Sequence, residues 1–164
     1  MRVIHAPEAT PALHEMRGRE VVFLAGSIEM GKATDWQADF VGGFENTETI
    51  FLNPRRKFWD ASWTQDISNP QFNEQVNWEL DSLALSTTAV FYFQPGTMSP
   101  ISLLEFGLTV KSGKCLVCCP TGFWRRGNVE IVCRRENVFF TDSIDVIKEM
   151  TLRRVLSKNQ NHNQ

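Results

Sequence analysis

The sequence has no excess of positive charge, no long hydrophobic run and almost no histidine. Its 17 Lys+Arg face 19 Asp+Glu, so the net charge of −2 gives no positive field to attract nucleic acid. No apolar run approaches the ~18–20 residues of a membrane-spanning helix, and the first residues lack the apolar stretch of a signal peptide. We therefore expect a cytoplasmic protein that binds neither nucleic acid nor a membrane.

The three histidines, His5, His14 and His162, all lie in the terminal segments. This placement argues against a Ser-His-Asp triad, a Cys–His pair and a metal site built on histidine. Any catalysis must then rest on carboxylates, amides and hydroxyls.

The four cysteines lie in apolar, strand-like runs, at Cys115, Cys118, Cys119 and Cys133. In a chain without an export signal we expect reduced thiols. A zinc site on the Cys-x-x-Cys pair would need two more ligands at a suitable spacing, and only Cys133 follows. We therefore expect structural thiols and no metal.

Short β-rich runs alternate with longer helical stretches along the chain. The predicted strands are 21–25, 49–52, 88–94, 114–119 and 129–133, and the predicted helices begin near residues 34, 71, 99 and 142. This alternation predicts a flavodoxin-like (Rossmann-like) three-layer α/β fold with a five-stranded parallel sheet. We expect one domain at 21–156, preceded by an N-terminal extension at 1–20 and followed by a disordered polar tail at 157–164.

Ligands of such folds bind outside the carboxyl ends of the strands, which directs attention to residues 26–32, 53–56 and 94–105. Residues 26–32 have the spacing of a P-loop, with Gly26, Gly31 and Lys32. However, Ala33 stands where Ser or Thr would hold magnesium, and the strand at 88–94 ends without an aspartate. A backbone lining for a sugar or base is therefore favoured, and a P-loop phosphotransferase is the less favoured alternative.

Two glutamates stand out on the predicted helices. Glu79 falls in the stripe formed by Phe72, Val76 and Leu83, and Glu105 is the only acid in a helix that is apolar almost all round and should be largely buried. Paired carboxylates without histidine or metal are the arrangement used to cleave glycosidic bonds. The open alternatives are a Glu79 that reaches water and a Glu105 that only binds a loop amide.

Several sequence pieces resemble the nucleoside 2-deoxyribosyltransferase family and its hydrolase relatives that act on 2'-deoxynucleoside monophosphates. They are FLAGSI at 23–28, LNPRR at 52–56, QVNWE at 75–79, PISLLEFG at 100–107 and RGN at 126–128. The resemblance covers residues 21–132 approximately and rests on the order and spacing of the pieces.

The resemblance implies a role for each matching residue. Glu105 would be the nucleophile, and Glu79 stands where the family usually has an aspartate that handles the base or the nucleophile. The remaining implied roles are Gly26 and Ser27 lining the sugar, Ser99 contacting the sugar hydroxyls or the base, Asn53 and Arg55 closing the pocket, and Asn128 entering from a partner subunit. The implied partners are a small nucleoside or nucleotide and a second copy of the chain in a homodimer or larger homo-oligomer, with no cofactor.

Three positions depart from the family pattern. Phe23 replaces the aromatic hydroxyl that orients the nucleophile, which leaves a non-catalytic nucleotide-binding module as an alternative. Glu29 replaces the arginine with which the hydrolases grip phosphate, so we expect a free nucleoside to be preferred unless Arg55 and its neighbours supply another grip. Ser99 matches the hydrolases, whereas transferases usually have an aspartate there.

Overall fold

The computed structural model describes residues 1–28, 34–58, 60 and 62–162. In this part of the chain, six strands alternate with six α-helices. They are β1 (Arg2–His5), α1 (Leu13–Met16), β2 (Val21–Gly26), α2 (Trp36–Val41), β3 (Ile50–Asn53), α3 (Pro70–Leu85), β4 (Thr88–Tyr92), α4 (Pro100–Thr109), β5 (Cys115–Cys118), α5 (Arg126–Arg135), β6 (Phe139–Thr141) and α6 (Ile144–His162). None of these helices combines the length and the apolar character needed to cross a membrane.

The six strands form one parallel sheet in the order β1-β3-β2-β4-β5-β6. The predicted α/β class and parallel sheet are confirmed, but the count of five strands is wrong. Without β1, the strand order equals the 2-1-3-4-5 order of doubly wound sheets. The order reverses at β2, because β3 lies on one side of it and β4 on the other.

Two edge strands were missed and one predicted strand is a helix. β1 and β6 have four and three residues, and of these only Ile4 is fully buried, so neither produces a strong apolar run. The predicted strand at 129–133 lies inside α5. Val129 and Cys133 are both buried, while Ile131 between them is exposed. Residues four apart share one face of a helix, and over so short a segment this spacing is indistinguishable from the alternation of a strand.

The N-terminal residues belong to the sheet and pack on α3. β1 pairs with β3, and the Trp78 indole Nε1 donates a 2.7 Å hydrogen bond to the Glu8 carbonyl. At the other terminus, α6 continues to His162, past residue 157 where the sequence predicted a polar tail to begin.

Each face of the sheet has its own apolar core. On one face, α2 and α6 pack Trp36, Phe40 and Ile147 against the strands. On the other face, α3, α4 and α5 cover a cluster whose members include Trp78 and Phe106. Full burial of a large apolar side chain contributes about 1.5–3 kcal/mol to the free energy of folding. The two cores together therefore hold the sheet in place, and with it the carboxyl ends of the strands.

The amino ends of the strands are held by charged side chains. Glu20, which is 4% exposed, accepts a hydrogen bond from the Thr88 hydroxyl and forms a 2.8 Å ion pair with Lys158. Arg154 donates 3.1 Å and 3.2 Å hydrogen bonds to Thr88 Oγ1 and to the Lys114 carbonyl. This edge lies opposite the one where the candidate site residues gather.

Candidate active site

At the carboxyl end of β2, the chain passes very close to β4. A Cβ atom on Gly26 would lie 2.4 Å from the Tyr92 carbonyl oxygen and 2.9 Å from the Trp36 ring. No side chain fits there without displacing the backbone of β4. Gly26 is therefore required by the packing of the sheet, whatever else it does.

Three hydroxyls form a closed cluster beside this turn. Ser27 Oγ lies 2.7 Å from Thr97 Oγ1 and 2.6 Å from Ser99 Oγ, and the two latter atoms are 3.0 Å apart. Thr97 donates to the Gln94 carbonyl, and Ser27 Oγ accepts from the Gln94 backbone N–H. Sequence reasoning missed Thr97, although it stands only two residues before Ser99.

Ser99 begins α4 in an unusual backbone conformation. Its φ of 44° and ψ of 49° lie in the left-handed region, and its side chain makes no capping hydrogen bond to the helix. A non-glycine residue in this region costs about 1–3 kcal/mol, and such strain concentrates at functional sites. The hydroxyl of Ser99 is directed to Ser27 instead of to its own helix.

Glu105 lies on the buried side of α4. The residue is 6% exposed, and among the described residues no group donates a hydrogen bond to its carboxyl. Burial, and secondly the charge of Glu79, raise the pKa of Glu105 to about 8. The carboxyl is thus largely removed from solvent without the donors that would otherwise stabilise its charge.

Glu79 of α3 is partly buried, and its negative charge reaches Glu105 electrostatically. Burial raises its pKa to about 7, and a 2.8 Å hydrogen bond from Gln75 Nε2 acts in the opposite direction. Glu79 therefore ionises first, and its charge then opposes the ionisation of Glu105. The structure brings together the two carboxylates that the sequence singled out.

The predicted apolar stripe of α3 is misplaced. The buried residues of the helix are Gln75, Trp78, Ser82 and Leu83, whereas Phe72 and Val76 are only partly buried. A neutral amide on the inner face gave no hydrophobic signal, so Gln75 was not identified from the sequence.

The expectation that α4 is largely buried is also wrong. The helix buries Ser102, Glu105, Phe106 and Thr109 and exposes its most apolar face. Ile101, Leu104 and Leu108 are 56%, 60% and 66% exposed. The inner face of this helix thus carries Phe106 together with three polar side chains, while three of its large apolar side chains point outward.

The loop after β3 is fastened to both neighbouring helices. Asn53 is buried and its Oδ1 accepts a 2.9 Å hydrogen bond from the Arg55 backbone N–H. Arg55 Nε lies 3.4 Å from Oδ1 of Asp35. Asp35 is the N-cap of α2, one residue after position 34, near which the sequence predicted this helix to begin. Gln75 Nε2 also donates a 2.8 Å hydrogen bond to the Pro54 carbonyl.

Asn128 does not join the other site residues. It lies exposed on α5, where Ile131 is 68% exposed, and Trp124 in the turn before this helix is 47% exposed. Glu29, Gly31 and Lys32 lie outside the described residues, so the P-loop-like spacing has no structural account.

The described residues contain no group of three or more His, Cys, Asp or Glu side chains placed to hold a metal ion. All four cysteines are free and buried. Burial raises the pKa of the Cys133 thiol to about 12, which keeps it protonated at neutral pH. The thiols are therefore poor candidates for nucleophiles, and the carboxylates of this edge remain as candidates.

A shallow cavity of about 270 Å³ lies on the other face of the sheet, between α2 and α6. Its lining includes Trp36, Tyr92, Gln94 and Lys148, but neither Glu79 nor Glu105. The two buried carboxyls, rather than this cavity, define the candidate site.

Comparison with known proteins shows the family to which the chain belongs. The family model described as "Nucleoside 2-deoxyribosyltransferase like" matches residues 19–123, which confirms the resemblance seen in the sequence. No curated protein matches closely enough to count as a relative. A solved structure, described as a conserved protein from Enterococcus faecalis V583, is similar with a TM-score of 0.59 and 13% identity, over 83% of this chain and 99% of that one. At this identity the structural match shows the fold alone, whereas the family model spans most of the chain and both glutamates. The chain belongs to the nucleoside 2-deoxyribosyltransferase-like family.

Proposed function

We propose that the protein cleaves or transfers at the N-glycosidic bond of a 2'-deoxynucleoside, with Glu105 as the nucleophile. The observation that carries the proposal is the buried Glu105 carboxyl, which has no hydrogen-bond donor among the described residues and is within electrostatic reach of Glu79. A carboxylate in such a surrounding is poorly solvated and therefore reactive toward a cationic, oxocarbenium-like centre.

The raised pKa values allow the two glutamates to share one proton near neutral pH. In the reactive arrangement, Glu105 is ionised and Glu79 holds the proton. A Glu105 oxygen forms a bond to the anomeric carbon, the bond to the base nitrogen breaks, and the leaving base takes the proton of Glu79. Water or a second base then attacks the anomeric carbon, gives its proton to Glu79 and releases Glu105.

The other residues at this edge support binding. Gly26, Ser27 and Ser99 would line the sugar, with the left-handed Ser99 holding its hydroxyl toward β2 rather than toward its helix. Asn53 and Arg55 would close the site from the β3 loop, since the Asp35 ion pair already fixes that loop. Phe23 lies fully buried in the apolar cluster, so it supplies only packing.

The direct test is to incubate the protein with a panel of deoxynucleosides, with and without a second free base, and to follow base release and exchange by chromatography. Base release or exchange supports the proposal. Stabilisation against thermal unfolding by a nucleoside, without any turnover, would instead indicate the non-catalytic binding module.

We further propose that the apolar face of α4 is covered by a second copy of the chain. Ile101, Leu104 and Leu108 form a stripe at i, i+3, i+7, and exposed apolar stripes of this kind mark interaction surfaces. We expect Leu104→Glu to dissociate the assembly in light scattering. The matched control Leu156→Glu, on α6 of the opposite face, should not change the mass. A wild-type monomer with full activity would contradict this expectation.

A mixing experiment tests whether Asn128 acts in the partner's site. Glu105→Gln and Asn128→Ala should each be inactive or strongly impaired alone. In a mixture, one site of each heterodimer has both native residues, so random pairing in a two-fold dimer should restore about a quarter of the wild-type activity. A mixture no more active than its components would show that Asn128 is not lent between subunits.

We expect a free nucleoside to be preferred over its 5'-monophosphate. Arg55 is paired with Asp35 and Arg56 with Glu74, so these two arginines of the loop are already engaged with carboxylates. A like charge at Glu29 would cost about 1–4 kcal/mol, which favours the nucleoside by roughly fivefold or more in kcat/KM. Glu29→Arg should move this ratio toward the nucleotide. A preference for the monophosphate that is lost in Arg55→Ala would mean that the loop binds phosphate.

A further inference from the structure

Gln75 is buried, and the hydrogen bond that its side-chain amide donates to the Pro54 carbonyl fixes the orientation of that amide. It is 4% exposed, and its Nε2 lies 2.8 Å from the Pro54 carbonyl oxygen and 2.8 Å from Glu79 Oε1. A backbone carbonyl can only accept a hydrogen bond, so Pro54 requires the N–H side of the amide to face it. The same nitrogen then presents its second proton to Glu79.

The arrangement leaves the other end of the amide without a partner. Gln75 Oε1 is buried, and among the described residues no donor lies within hydrogen-bond distance of it. A buried polar atom in this condition is destabilising, so a glutamine here is poorly explained by packing alone. A leucine or methionine of similar size would fill the space without this disadvantage.

We propose that Gln75 is a positioning residue that keeps the negative charge of the carboxyl pair on Glu79 in the free protein, so that Glu105 holds the shared proton. The inference rests on the proposed function, in which transfer of that proton from Glu105 to Glu79 produces the nucleophile and the acid together. The hydrogen bond that Gln75 donates is stronger to an ionised Glu79 than to its protonated form, so it favours ionisation of Glu79.

The charged groups around the pair do not provide another source of this bias. Burial and the Gln75 hydrogen bond act on Glu79, and burial and the charge of Glu79 act on Glu105. On the β3 loop, the Arg55 guanidinium pairs with Asp35 of the α2 cap. In the same region, Arg56 pairs with Glu74 of α3, and the His5 ring of β1 lies 3.4 Å from the Arg55 carbonyl oxygen.

The test measures the ionisation of Glu79 directly, in protein carrying ¹³C at the glutamate side-chain carboxyl. In a Glu105→Gln background, Glu79 is the only ionisable member of the pair. Adding Gln75→Met should raise the pKa of Glu79 by about one unit, a tenfold change in its ionisation constant, as expected for losing a hydrogen bond to a charged group. Gln71→Met, the same change at an exposed position of α3, should leave the titration unaltered.

An unchanged Glu79 titration in the Gln75→Met protein would overturn the inference. If that variant fails to fold, the wild-type Gln75 side-chain amide protons should shift as Glu79 titrates, and their failure to shift would equally overturn it. Because neither measurement needs turnover, they separate the role of Gln75 from the proposed reaction. In active protein, where the two glutamates titrate as a pair, the acid limb of kcat/KM should move to higher pH by less than tenfold in Gln75→Met and stay in place in Gln71→Met.

Discussion

Glu105→Gln should reduce turnover of a deoxynucleoside by at least about a thousandfold while the protein remains folded, because the amide cannot attack the anomeric carbon. Glutamine has nearly the same shape as glutamate, so the packing of α4 against the sheet, through Phe106, is retained. The measurement is base release under single-turnover conditions, with circular dichroism and thermal unfolding to establish that the fold is intact. Activity near that of the wild type would remove Glu105 from the mechanism.

The matched control is Glu20→Gln. Glu20 is also a buried glutamate, but it lies at the amino edge of the sheet with Thr88 and Lys158, away from the candidate site. We expect it to retain turnover even if its stability falls. In addition, acid-quenched wild-type protein should carry a deoxyribosyl adduct on Glu105 in mass spectrometry, whereas Glu105→Gln should carry none.

The parts of the fold that follow from the sequence are those with strong apolar runs. β2, β3, β4 and β5 are buried on both faces, so each appears as a continuous hydrophobic segment. β1 and β6 are short edge strands held mainly by backbone hydrogen bonds to one neighbouring strand. Backbone pairing does not require apolar side chains, so neither strand could be identified from the residue types. The segment at 129–133 shows the limit of periodicity, because five residues fit both an alternating strand and one turn of helix.

The candidate site divides in a similar way. Glu79 and Glu105 stood out in the sequence as acids among apolar helix residues, and both carboxyls are largely buried, although the apolar stripe expected on α3 and the burial expected of α4 were wrong. Gln75 and Thr97 did not stand out, because neutral polar residues are common on helices and in loops. The exposed face of α4 was also beyond prediction, since apolar periodicity does not tell whether the surface that covers it belongs to the same chain or to another copy.

The pair of raised pKa values should make the protein less stable as the pH rises. For Glu105, the folded-state pKa of about 8 lies above the ordinary value of 4.5, so the fold favours the protonated form. Below pH 4.5 both states are protonated and the penalty is absent. Between about pH 4.5 and 8 the unfolded chain ionises while the folded protein does not, so stability falls by at most about 1.4 kcal/mol per pH unit for this group.

Glu105→Gln removes this ionisation, so the difference in free energy of unfolding between the variant and the wild type should depend on pH. We expect denaturant unfolding to show the variant gaining stability over the wild type steadily from pH 5 to pH 8, reaching a few kcal/mol, and then no further change. The same substitution would thus eliminate turnover and stabilise the fold, which is the trade-off expected where a charge is kept buried for chemistry. A stability difference that does not vary with pH would mean that Glu105 ionises as it does in the unfolded chain, and the case for a poorly solvated nucleophile would fail with it.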